Sequence, residues 1–186
     1  MVFTHDTEVA LQAAVELVNG EDEPEDALGS IQALGAFRAR WEYSGRYDGT
    51  GVELQAVRAL RPRLRLLLTA PRDEAAGLVN EILAEARAVP RLVRHDRLDW
   101  HIHAEPADAP FAVQIAVETA MAMIDVIRDD ECSRLGLCAD ADCAGIVLDL
   151  SRNRSKRFCS VGCGNRNAVA AYRARQAGGE QPLTGR

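Results

Sequence analysis

All five cysteines of this 186-residue chain fall between Cys132 and Cys163. Four of them form two close pairs, Cys138-x4-Cys143 and Cys159-x3-Cys163, separated by fifteen residues. An odd count, behind an N-terminus (Met1 to Asp6) with no Lys or Arg and no signal-peptide core, argues against a disulfide framework. Zinc takes four thiolates in a tetrahedron, and two close pairs joined by a longer loop supply them. The spacing therefore predicts one Zn2+ on Cys138, Cys143, Cys159 and Cys163, with Cys132 left out. The bland alternative is a set of four buried or incidental cysteines.

The residues between the pairs give the module a shape. Ala144 to Leu150 reads as a strand, Ser151 to Ser155 as a turn, and Lys156 to Cys159 as the returning strand. From Val161 to Ala177 an alanine-rich stretch is helix-compatible. Knuckle, hairpin and helix in that order resemble a treble-clef or ribbon-like zinc module. So small a unit lacks a core of its own and draws folding free energy from its metal.

The string Cys143…Asp149-x-Ser151-Arg152-Asn153-x-Ser155-x-Arg157-x-Cys159-Ser160-x-x-Cys163-Gly164-Asn165-Arg166…Tyr172-Arg173-Ala174-Arg175 resembles the CGNR zinc finger. That finger follows an N-terminal ABATE domain in bacterial proteins described as putative stress-induced transcription regulators. Trp100-His101-Ile102-His103, followed by a long alanine-rich helix, looks like the ABATE pattern. The resemblance implies zinc on the same four cysteines and nucleic acid as the partner.

Charge divides the chain at the same place. Residues 151–186 carry eight basic side chains against one acid, +7, leaving fourteen basic and twenty-seven acidic, −13, for residues 1–150. An acidic body with a basic tail suits a nucleic-acid appendage on a separately functioning domain. The candidate phosphate contacts are Arg152, Arg154, Lys156, Arg157, Arg166, Arg173 and Arg175. Arg166 has a second reading, favoured here: turning back onto carbonyls of the zinc knuckle. Asp149, Ser151 and Asn153 read as turn-formers. Only Phe158 and Tyr172 could stack on bases, so single-strand binding has little support and DNA stands ahead of RNA.

The body reads as mainly helical: 7–18, 27–41, 52–68 interrupted at Pro62, 73–87, and an apolar 109–129 at the centre. A small antiparallel hairpin, 91–94 with 98–104 around a turn at 95–97, breaks the series. Its alternation puts Trp100, Ile102 and Ala104 on one face, expected to be buried, and His101 and His103 on the other, expected to be exposed. His101-x-His103 could instead be two metal ligands, but no nearby Asp, Glu or Cys spacing completes a site. Core packing is the default reading of the Met121 and Met123 face, and solvated charge that of the run Arg58, Arg61, Arg63, Arg65.

The fold class expected is α+β: an ABATE-like helical domain over 1–131, a zinc module over 132–177 and a flexible tail over 178–186. No apolar run reaches the roughly 18 residues a membrane span needs, so a cytoplasmic chain without a membrane partner is expected. No phosphate loop or nucleophile elbow occurs, and catalysis is not expected. The function expected is nucleic-acid binding by the zinc module, with the helical domain sensing a small-molecule effector or forming a homodimer. The alternative is a protein-interaction module in which zinc is purely structural and the basic tail docks on an acidic surface.

Overall fold

A computed structural model describes residues 2–21, 26–94 and 100–179, with side chains to 176. The expected turn at 95–97 and the chain end from 180 lie outside the described residues. The helical series is present. α1 (His5–Asn19) buries Ala10, Leu11, Ala14, Leu17 and Val18, the i, i+3, i+4 stripe of an amphipathic helix. α2 is shorter than expected and begins at Ile31 (Ile31–Arg40), because Ser30 Oγ accepts the Ala33 amide at 3.1 Å and caps it there.

α3 (Gly51–Thr69) is capped by Thr50, and the Glu53 carboxylate accepts the Asp48 and Gly49 amides in front of it. It runs through Pro62 as one helix, contrary to the expected break. Val57 before the proline and Leu64, Leu67 and Leu68 after it are all buried, so packing on both sides offsets the lost hydrogen bond. α4 (Arg72–Glu85) starts directly behind Pro71. α5 (Phe111–Arg128) is buried around most of its circumference and packs against α1, α3 and α4, the central position its apolar run predicts. Phe111 anchors its start in a ring cluster with Phe37, Tyr43 and Tyr47.

The hairpin β1 (Arg91–Val93) and β2 (His101–His103) pairs Leu92 with Ile102; its faces are inverted relative to expectation at Trp100, Ile102 and the histidines, while Ala104 beyond the strand is buried as expected. Trp100 is 63% and Ile102 46% exposed, whereas His103 is largely covered. Polarity misled the assignment because the inward imidazole meets carboxylates, from Glu105 beyond its own strand and from α5, rather than an apolar wall.

In the tail, β3 (Leu135–Leu137) pairs antiparallel with β4 (Ile146–Leu148). The strand partner of 146–148 thus precedes the first cysteine pair. Residues 156–159 form no strand: Asp149 holds that segment through the Ser151 and Lys156 amides at 2.8 and 2.7 Å. α6 (Val161–Gly179) follows. The β3–β4 hairpin is sewn to the body. Ile146 and Leu148 belong to the main apolar core, and the Asn19 side chain brackets Ile146, donating to its carbonyl at 2.9 Å and accepting its amide at 2.7 Å. The architecture is α+β, a mainly helical body with one small hairpin and a cysteine-bearing C-terminal unit. No helix among the described residues is long and apolar enough to cross a membrane.

Candidate functional site

The four paired cysteines converge. Their sulfurs all lie within 4.8 Å of one another, with Cys143 Sγ 3.5 Å and Cys163 Sγ 3.7 Å from Cys159 Sγ. A tetrahedral zinc thiolate site with bonds of about 2.3 Å has sulfurs about 3.8 Å apart, so the donor set fits zinc. Cys138 and Cys143 flank the turn of the β3–β4 hairpin, while Cys159 precedes α6 and Cys163 lies in its first turn, where Ser160 Oγ accepts the Cys163 amide. The helix N-terminus adds positive potential beside the thiolates.

Backbone donors complete the cradle. The Gly145 amide reaches Cys143 Sγ at 3.3 Å and the Cys159 amide reaches Cys138 Sγ at 3.4 Å. A Cβ at Gly145 would stand 2.8 Å from Cys159 Sγ, so only glycine admits the sulfurs there. Burial, then the three neighbouring sulfurs, push the Cys159 thiol well above its ordinary value. Four thiolates in this volume need a cation among them. Cys132 is outside the cluster, and burial raises its thiol.

Arg166 takes the structural position, with a different partner from the one expected. Its Nε and Nη2 donate to Asp140 Oδ2 at 3.0 and 2.7 Å and Nη2 reaches Cys163 Sγ at 3.1 Å, so a carboxylate and a ligand sulfur replace the knuckle carbonyls. Arg154 is also engaged, donating to Glu131 at 2.8 Å. Arg152, Lys156, Arg157, Arg173 and Arg175 are exposed and have no carboxylate partner among the described residues; Arg157 lies over the Phe158 ring. The run in α3 is spent on structure: Arg58 and Arg61 hold Asp26, Arg63 holds Glu85, and Arg65 donates to the Ala144 carbonyl at 2.6 Å.

A second place forms around His101 and His103, for which the sequence favours exposure over a ligand role. Between α1, the segment 41–44, β2 and α5 lies a cavity of about 420 Å³, lined by Trp41, Tyr43, Trp100, His103, Glu118 and Met121 among others. Met121 faces this space while Met123 packs in the core. His103 Nδ1 meets Glu105 Oε1 at 2.5 Å, and His101 Nε2 is 3.0 Å from His103 Nε2. The bond to Glu105 raises His103 above the usual imidazole value. Burial, then the neighbouring Glu105 charge, lifts Glu118 to about 8. Tyr43 is 5% exposed, and neither its hydroxyl nor Trp41 Nε1 has a hydrogen-bond partner among the described residues.

Against known families, the model described as CGNR zinc finger matches residues 134–176, over the cysteine cluster. The model described as ABATE, putative stress-induced transcription regulator, matches residues 11–130, which hold most of the cavity lining. No curated protein matches the chain.

Proposed function

Because the chain belongs to the ABATE family and carries a CGNR zinc finger behind that domain, we propose that it is a zinc-containing transcription regulator whose C-terminal module binds nucleic acid, DNA ahead of RNA. Cys138, Cys143, Cys159 and Cys163 hold the zinc, which cross-links the hairpin to the start of α6 and has no open position for catalysis. The helical domain takes the sensing role, with the cavity as its receptor; its function is binding rather than catalysis.

One observation carries the nucleic-acid reading. Arg152, Lys156, Arg157, Arg173 and Arg175 are exposed without carboxylate partners among the described residues, although the body is strongly acidic. A tail docked on its own body would have those cations in ion pairs. Held on the segment between β4 and α6 and along that helix, they are placed to neutralise phosphates and release counterions.

The test is fluorescence anisotropy of labelled duplex DNA, RNA and poly-glutamate with the zinc-loaded full chain. Duplex DNA is expected to bind most tightly, with affinity falling steeply as salt rises. Retention of poly-glutamate with no binding to either nucleic acid would favour the interaction-module alternative.

A further inference from the structure

The cavity in the helical body has a floor unlike its walls. Trp41, Trp100 and Met121 make the sides apolar, but His103, Glu105 and Glu118 bring an imidazole nitrogen and two carboxylates to within 4.8 Å of one another. These side chains come from two elements. His103 ends β2, Glu105 sits in the bend two residues beyond it, and Glu118 projects from α5. The Glu105 carboxylate meets His103 Nδ1 at 2.5 Å, which keeps the two together on the cavity side.

The floor is not fully satisfied. His103 and Glu105 partner each other, whereas the Glu118 carboxyl has neither a hydrogen-bond nor an ion-pair partner among the described residues. A carboxyl that lines a cavity without a partner is a donor left for an occupant.

The geometry points to a second metal site, a divalent first-row transition ion held by His103, Glu105 and Glu118 at the floor of the cavity. Two carboxylates and a neutral imidazole balance the ion's charge, and one nitrogen with two carboxylates is a donor set that suits zinc, manganese or iron(II). Oxygen donors are too few for a calcium cage. Three protein donors leave the ion's remaining positions facing the cavity, where water or a small molecule with an oxygen or nitrogen donor completes the coordination. The site shares no residue with the cysteine cluster and gives the sensing role a chemistry. Its metal stoichiometry is read without reference to nucleic-acid binding.

The experiment starts from full-length protein with its cysteine cluster filled by zinc. Mn2+, Co2+ and Zn2+ are added separately, and metal per chain is counted after ultrafiltration. One further equivalent is expected with at least one of them, and bound Co2+ should quench the emission of Trp41 and Trp100, the chain's two tryptophans, both lining the cavity. Glu118→Gln and His103→Gln should each weaken the second equivalent by tenfold or more while the first zinc stays. Glu74→Gln, exposed on α4 away from the cavity, should leave it unchanged. No second equivalent with any of the three ions, or one that survives in both Glu118→Gln and His103→Gln, would overturn the assignment. Thermal melting of each variant separates a lost site from a lost fold.

Discussion

Arg166 clasps Asp140 through two donors, Nε and Nη2, on a single carboxylate oxygen, and the same guanidinium reaches the sulfur of Cys163. Asp140 in turn accepts the Asp142 amide inside the Cys138–Cys143 knuckle. One side chain of α6 therefore fixes the knuckle and one metal ligand relative to each other. Outer groups of this kind typically contribute about 10–100-fold to metal affinity. Arg166→Ala should lose zinc to a competing chelator at about that factor, measured by chelator titration, and should lower nucleic-acid affinity only as far as zinc is lost. Intact zinc affinity with weakened nucleic-acid binding would mean that Arg166 contacts the phosphate backbone instead.

Gly145→Ala tests the shape of the cysteine site. Its new Cβ would fall 2.8 Å from Cys159 Sγ and 3.3 Å from Cys143 Sγ, so a ligand must shift. Metal content of the purified variant should fall and the Co2+–thiolate absorption of the substituted protein should weaken. Gly136→Ala, in the same hairpin with open space at its Cβ, should leave both unchanged.

These cysteines were legible in the sequence because two pairs of ligands five and four positions apart carry their own geometry. The cavity was not. Alternation along 100–104 sorts Trp100 and Ile102 from His101 and His103, but it does not say which set faces in. Apolar character pointed to the tryptophan, and the decisive partner, Glu118, is hidden within the apolar run of α5. Pro62 misled in the same way, since its local rule is overridden by leucines buried on either side. The register of the tail hairpin was likewise hidden: Leu135-Gly136-Leu137 is too short to signal a strand until Ile146 and Leu148 are seen packing into the body.

That packing links the tail to the stability of the body. Removing residues 132–186 takes Ile146 and Leu148 out of the core and strips the Asn19 side chain of both its bonds. Each buried side chain of this size contributes about 1.5–3 kcal/mol. A 1–131 fragment should still melt cooperatively but several degrees below the full chain, and chelator should shift only the full chain. Equal midpoints by circular dichroism would show that the hairpin adds nothing to the body.

Asp26 and Arg61 give a pH signature. Arg61 is 2% exposed, donates to the Leu17 carbonyl and forks onto both carboxylate oxygens of Asp26, whose carboxyl this bond lowers to about 2. A carboxyl depressed in the folded state stabilises above its unfolded value near 4 and loses that contribution as pH falls toward 2. Asp26→Asn should therefore cost about 3–5 kcal/mol at pH 7, because it strands a buried guanidinium. The gap to the parent chain should narrow through pH 4 to 2, followed by urea denaturation across that window. A gap constant with pH would contradict the pairing.

The central claim is that a zinc-fixed module presents open cations to a phosphate backbone. Its most direct measurement is the salt dependence of duplex DNA affinity for the zinc-loaded full chain and for the Arg152→Ala, Lys156→Ala, Arg157→Ala triple variant. The account predicts a steep linear fall of log affinity with log salt in the parent chain, flattened in the variant by up to about three units, roughly one per lost contact, with zinc content and melting unchanged. Equal slopes in the two proteins, or no salt-dependent binding by the parent chain, would contradict it.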